Sequence, residues 1–102
     1  MTKQEQLQFA RDKFIDILEL LETKGDDYAN DDRLSNFKES ACLLNTTAFK
    51  VCLNQIAIKI SRIVNLIDRE ARNESLEDSI NDLFTYSLLL LMINKDEAAD
   101  NN

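Results

Sequence analysis

The chain has 102 residues, among them 12 Lys plus Arg, 19 Asp plus Glu, no His, no Pro and one Gly. This length favours one domain with a thin core, which a partner subunit would complete. A formal charge of −7 argues against an open nucleic-acid or anionic-membrane surface, because both need a basic patch. Without His, Ser-His-Asp and Cys-His catalysis and the common zinc sites are excluded. Because tight β-turns depend on Gly and Pro, the composition predicts a small, acidic, all-α protein.

The two cysteines, Cys42 and Cys52, lie ten residues apart in apolar surroundings. Two thiols are too few for a disulfide framework, and free Cys is usually buried, so we expect two buried thiols in a reducing compartment. Residues 1–8 contain no apolar signal core, and the longest apolar run, Leu88–Ile93, is far shorter than a bilayer span. The sequence therefore predicts a cytoplasmic protein without a membrane segment.

Apolar periodicity predicts four helices in a compact bundle, completed by homo-oligomerisation. The first helix spans residues 3–23 and ends at Lys24-Gly25, because Gly tolerates the left-handed conformation of a helix cap. After a polar loop over 26–35, Asn36 and Glu39 resemble a capping box for a short helix over 36–44.

Two further helices complete the predicted fold. Asn45, Thr46 and Thr47 offer caps for a third helix over about 47–67. Ser75 and Asp78 have capping spacing for a fourth helix that ends near residue 94. Residues 95–102 are predicted to be a disordered acidic tail, so the single helical domain comprises residues 1–94.

The third predicted helix has an ordinary polar face and two further faces. Its core stripe is predicted to be Ile56, Ile60, Ile63 and Ile67. A separate strip carries Gln55, Lys59 and Arg62 between apolar neighbours. One interpretation is snorkelling, in which long stems cover apolar surface while the charged groups reach water. The other is a partly dry pocket that offers two cations to a phosphate or carboxylate.

The fourth predicted helix begins with acidic residues on one face. Acids are favoured at a helix N-terminus, but that benefit fades after the first turn, and Asp82 lies well inside. Asp78 and Asp82, four residues apart, repel each other unless a cation lies between them. That cation could be Lys59 or Arg62 in a salt bridge, or Mg²⁺ held by Glu74, Asp78 and Asp82 with ligand phosphates. The second half of this helix is apolar nearly all round, which predicts burial or an oligomer interface.

Four segments, in order, resemble the nucleotide modification associated domain family of the first type, which occurs in phages and bacteria. They are KGDDY at 24–28, RLSNFK at 33–38, KISR at 59–62 and ESLEDSINDLFTY at 74–86. The resemblance covers about residues 24–91. It implies a small helical protein linked to nucleotide metabolism in phages.

A more distant resemblance is to the MazG-like all-α nucleoside triphosphate pyrophosphohydrolases, which hold Mg²⁺ between acidic helices. That superfamily has a Glu-x-x-Glu motif on one helix shortly before a Glu-x-x-Asp motif on the next. In this chain the corresponding helix carries Lys59 and Arg62 instead, whereas Glu19 and Glu22 lie some fifty residues before Glu74. The resemblance therefore implies nucleotide binding more directly than catalysis.

The first functional hypothesis is a protein that binds, and in a phage setting sequesters, a nucleotide or a cyclic nucleotide signal of host defence. Lys59 and Arg62 would neutralise its phosphates, Tyr28 would stack on a base, and Asn36 and Asp27 would bond to base or ribose. Two alternatives remain open. One is a Mg²⁺-dependent pyrophosphohydrolase, and the other is a helical interaction module without a ligand.

Overall fold

The computed structural model describes residues 1–25, 32–69 and 72–100, and the side chains of residues 1–23, 32–69 and 75–99. Four α-helices form: α1 (Lys3–Gly25), α2 (Ser35–Leu44), α3 (Ala48–Leu66) and α4 (Arg72–Asp100). No strand occurs within the described ranges, so the prediction of an all-α protein with four helices is confirmed. Where the sequence indicated one domain, the chain divides into two compact units, residues 1–33 and 34–102.

The first unit contains α1. Thr2 and Glu5 form a capping box at its start: the Thr2 N–H donates to Glu5 Oε2 (2.8 Å), and the Glu5 N–H donates to Thr2 Oγ1 (3.1 Å). The predicted left-handed cap at Gly25 is wrong, since Gly25 is still helical and has no positive φ. Glycine permits the left-handed conformation but does not require it.

The short helix α2 begins without a side-chain cap, so the predicted capping box of Asn36 and Glu39 is wrong. The Leu34 carbonyl accepts the N–H groups of Phe37 (3.1 Å) and Lys38 (3.2 Å). Leu34 and Phe37 both pack on the core, and this packing decides where the helix starts. At the other end Asn45 adopts the left-handed conformation (φ 53°), and the Thr46 N–H donates to the Ala41 carbonyl (2.9 Å).

The predicted cap of the third helix is confirmed at Thr47. Its Oγ1 accepts the Lys50 N–H at 3.2 Å and so satisfies one of the donors that the first turn leaves free.

Replacement of Thr47 by Ala is expected to lower the free energy of unfolding by about 1 kcal/mol, because this capping bond is lost. Urea unfolding followed by circular dichroism measures the change. Thr46→Ala is the control: Thr46 is exposed and adjacent, and Thr47 provides the cap. Equal losses in the two variants would show that the hydroxyl at 47 has no special role.

Helix α4 is longer than predicted at both ends, so Ser75 and Asp78 lie inside it and do not cap it. The predicted disorder of the tail is wrong for residues 95–100, which are helical. Two contacts hold these last turns: Lys38 Nζ lies 2.9 Å from Asp96 Oδ2, and the Phe49 N–H donates to Glu97 Oε1 (3.3 Å). Residues 101–102 lie outside the described ranges.

Helices α3 and α4 run antiparallel. Phe49 contacts Glu97, and Lys59 contacts Asp82. Residue numbers therefore increase along α3 in the direction in which they decrease along α4. The core of this second unit is Ala48, Cys52 and Ile93, where the start of α3 meets the end of α4. Hydrophobic side chains from all three helices of the unit pack around it: Leu34, Phe37, Phe49, Tyr86, Leu89 and Leu90.

The cysteines differ in environment. Cys52 is buried and its thiol donates to the Tyr86 carbonyl (3.4 Å), as predicted for a buried thiol. Cys42 is exposed, so its predicted burial is wrong: on α2 it is the neighbouring Ala41 that is buried. Within the described ranges, no helix alone combines the length and apolarity of a bilayer span; α2 with α3 does so, but a bend of 99° separates them.

Candidate functional site

The face of α3 that packs on α4 differs from the predicted isoleucine stripe. Ile56 and Ile63 are partly buried as expected, but Ile60 and Ile67 are 48% and 50% exposed. The packed face is instead made of six residues that are buried or partly buried at helical spacing: Cys52, Gln55, Ile56, Lys59, Ile63 and Leu66. Lys59, which is predicted to lie on a separate strip, lies on the inner face of the helix.

Lys59 forms an ion pair across the α3–α4 contact. Its Nζ lies 3.0 Å from Asp82 Oδ2, and the side chains of Lys59 and Asp82 are 13% and 52% exposed. The lysine stem therefore covers apolar surface while its ammonium reaches a carboxylate at the rim, which is the snorkelling arrangement. Because the Asp82 carboxylate is half exposed, water reaches the pair from the Asp82 side, where another anion can approach the Lys59 ammonium.

Arg62 and Asp78 extend this pair along the same side of the two helices. Arg62 follows Lys59 by three residues, and Asp78 precedes Asp82 by four, so each lies one turn from the pair on its own helix. Since the helices are antiparallel, both steps lead in the same direction along the helix pair. Both side chains are exposed. We call the set Lys59, Arg62, Asp78 and Asp82 the charged seam.

The other predicted site residues are less closely tied to the seam. Asn36 is exposed on α2, and no described contact joins it to the seam. Asp27 and Tyr28 lie outside the described residues, as does the side chain of Glu74. Glu19 and Glu22, the alternative acids, are exposed on α1, which belongs to the other unit.

The acids of the seam have a limited capacity for a metal. Among the described side chains, no group of three or more His, Cys, Asp or Glu is placed to hold an ion. Asp78 and Asp82 provide two carboxylates one turn apart. That number fits Mg²⁺ in nucleotide sites, where one or two carboxylates and the ligand phosphates share the ion.

Sequence reasoning missed Ser79, which is buried on α4 next to the seam. It belongs to a series at helical spacing, with Asp82, Tyr86 and Ile93, that faces α3. The sequence signal that could have identified Ser79 is its helical spacing from Ile93, since the two residues lie on the same face of α4.

Comparisons with known proteins do not indicate a function for the charged seam. No family model, no curated protein and no solved structure matches this chain.

Proposed function

We propose that this protein binds a nucleotide at the charged seam. Lys59 and Arg62 bind the phosphates, while Asp78 and Asp82 bind Mg²⁺ that the phosphates also coordinate. The observation that supports this proposal is the ion pair between sheltered Lys59 and half-exposed Asp82. In this pair the cation predicted to bind phosphate lies beside a carboxylate predicted to bind the metal.

The proposed binding step is an exchange of partners. A phosphate oxygen replaces Asp82 at the Lys59 ammonium, and the released carboxylate takes up Mg²⁺. Because Lys59 is largely withdrawn from water, its attraction for phosphate is screened less than that of a surface lysine. The Mg²⁺ that enters with the ligand offsets part of the negative charge of the phosphates.

The class of ligand comes from the resemblance to the nucleotide modification associated domain family. The contacts that the sequence predicts for Tyr28, Asn36 and Asp27 with the base or ribose stay predictions. The biological outcome we propose is sequestration of a nucleotide or cyclic nucleotide signal, or service in nucleotide metabolism, in the cytoplasm. The enzymatic alternative, a MazG-like pyrophosphohydrolase, would use Glu74, Asp78 and Asp82 for Mg²⁺.

A panel of nucleotides and cyclic dinucleotides, each with and without Mg²⁺, tests the proposal by thermal shift. The ligand is expected to stabilise the protein by about 2.7 kcal/mol at a hundred times its Kd. Lys59→Gln and Arg62→Gln are each expected to weaken binding at least about tenfold, the equivalent of about 1.4 kcal/mol. Lys50→Gln is the matched control, because Lys50 is exposed on the polar face of the same helix.

The result against the proposal is absence of a shift with every member of the panel, or equal losses in Lys50→Gln and Lys59→Gln. Arg62→Gln guards against a folding artefact, since Arg62 is exposed. Mass analysis of the recovered ligand separates the two forms of the proposal: sequestration returns it unchanged, whereas hydrolysis releases pyrophosphate and stops in Asp82→Asn.

The second candidate function is a helical interaction module, and a different observation favours it. Many large apolar side chains of α3 and α4 are exposed, which is typical of a surface that binds another protein.

A further inference from the structure

The ion pair between Lys59 and Asp82 has unequal partners. The side chain of Lys59 is 13% exposed and that of Asp82 is 52% exposed, while Nζ and Oδ2 lie 3.0 Å apart. The lysine has therefore lost most of its contact with water, whereas the aspartate has kept about half. The two residues depend on their contact to different degrees.

Lys59 depends on an anionic partner. A charged group that is withdrawn from water is costly unless it is paired and hydrogen-bonded. In the structure Asp82 is this partner. We therefore expect Asp82 to contribute to the stability of the fold.

Asp82 depends on the contact much less. Water covers about half of its side chain, so the carboxylate stays solvated when it moves away from Lys59. Asp82 is therefore a partner that can be replaced by another anion, whereas Lys59 cannot be left without one.

The fold makes Asp82 a competitor for any anion that approaches Lys59. A carboxylate held on the neighbouring helix is an intramolecular partner, with an effective concentration of about millimolar or more. An anion that binds the same ammonium also lies beside this carboxylate, and like charges repel each other. Anion binding and the contact between Lys59 and Asp82 therefore oppose each other, which is negative coupling.

We propose that Asp82 is an internal inhibitor of phosphate binding at Lys59. In the free protein it holds the ammonium, and its negative charge has to move away or be neutralised before a phosphate binds tightly. This inference rests on the proposed function, because it concerns the regulation of the same site. Asp82 thus has two effects of opposite sign: it stabilises the fold and it lowers the affinity for the ligand.

These two effects separate an internal inhibitor from a purely structural residue. In Asp82→Asn the amide keeps the size of the side chain, and its oxygen can still accept a hydrogen bond from Lys59, but the negative charge is removed. For an inhibitor, the affinity for phosphate rises while the free energy of unfolding falls. For a purely structural residue, the free energy of unfolding falls and the affinity does not rise.

Isothermal titration calorimetry with inorganic pyrophosphate in EDTA tests the proposal without a contribution from Mg²⁺. Asp82→Asn is expected to bind at least about fivefold more tightly than the wild type, the usual minimum for coupling between two binding events. Asp82→Glu keeps the charge and is expected to bind more weakly than Asp82→Asn. Glu77→Gln is the matched control, because it removes the same charge from an exposed position of the same helix, where salt screens it. Its affinity is expected to stay near that of the wild type.

The fold of the variants is checked by circular dichroism, and helix content is expected to be unchanged because Asp82 is half exposed. Asp82→Ser is a second uncharged variant and is expected to show the same gain. Equal or weaker binding by the uncharged variants, or no binding by them in EDTA, overturns the inference. The nucleotide panel with Mg²⁺ tests the proposed function separately, since the wild type can bind a nucleotide whether or not Asp82 inhibits.

Discussion

Ile93→Ala is expected to lower the free energy of unfolding by about 2–5 kcal/mol, the range for truncation of a buried aliphatic side chain. Ile93 is 1% exposed and packs with Ala48 and Cys52 in the core of the second unit. The loss combines the transfer free energy of the removed methyl groups with the cavity left behind. Since a small domain has a stability of about 5–15 kcal/mol, this variant would be markedly destabilised.

Urea unfolding at 25 °C measures this change as a lower midpoint. Leu43→Ala is the control, because Leu43 lies on α2 with 86% of its side chain exposed, and exposed substitutions usually change stability by less than about 0.5 kcal/mol. A loss below about 1 kcal/mol in Ile93→Ala would contradict the packing described for the end of α4.

The second large effect concerns the two thiols. Cys42 is exposed and is expected to react with a thiol reagent at the rate of a small-molecule thiol. Cys52 is buried and its thiol bonds to the Tyr86 carbonyl, so it reacts only when the protein opens. The ratio of folded to unfolded protein is about 10³ or more for a small domain. In the native protein we therefore expect Cys42 to react with the reagent at once and Cys52 to react at least about a thousandfold more slowly.

Cys42→Ser provides the control for this assay, because it removes the fast phase and leaves the slow one. Urea is expected to make both cysteines react at equal rates. A fast reaction of Cys52 in native Cys42→Ser would contradict its burial.

The same burial predicts how stability changes in alkali. Desolvation raises the pKa of the Cys52 thiol in the folded state. Above the ordinary thiol pKa the unfolded chain loses this proton while the folded chain keeps it, so the free energy of unfolding falls as pH rises. Cys52→Ala is expected to remove this part of the alkaline destabilisation.

The amino-acid pattern was sufficient for much of the fold. The absence of Pro and the single Gly, together with three- and four-residue apolar spacing, predicted four helices, and Thr47 was correctly predicted as the cap of α3. These features depend on neighbours along the chain, so local chemistry decides them. The predicted repulsion between Asp78 and Asp82 also pointed to a nearby cation, and Lys59 contacts Asp82.

Other features could be decided only by contacts between helices. The C-terminal turns of α4 are polar, but they hold to Lys38 and Phe49 of other helices. Asn36 had a good capping sequence, yet the packing of Leu34 and Phe37 moved the helix start. In both cases tertiary contacts outweigh local preferences of about 1 kcal/mol.

The assignment of the inner and outer faces of α3 is the clearest case in which contacts between helices, and not the sequence pattern, decide the structure. Its sequence determined a helix with apolar residues on two adjoining strips, one through Ile56 and Ile63 and one through Ile60 and Val64. Periodicity alone cannot rank two strips of similar apolarity. Only the position of α4 assigned the first strip, with Lys59, to the packed side and left the second exposed, because burial depends on which surface the neighbouring helix covers.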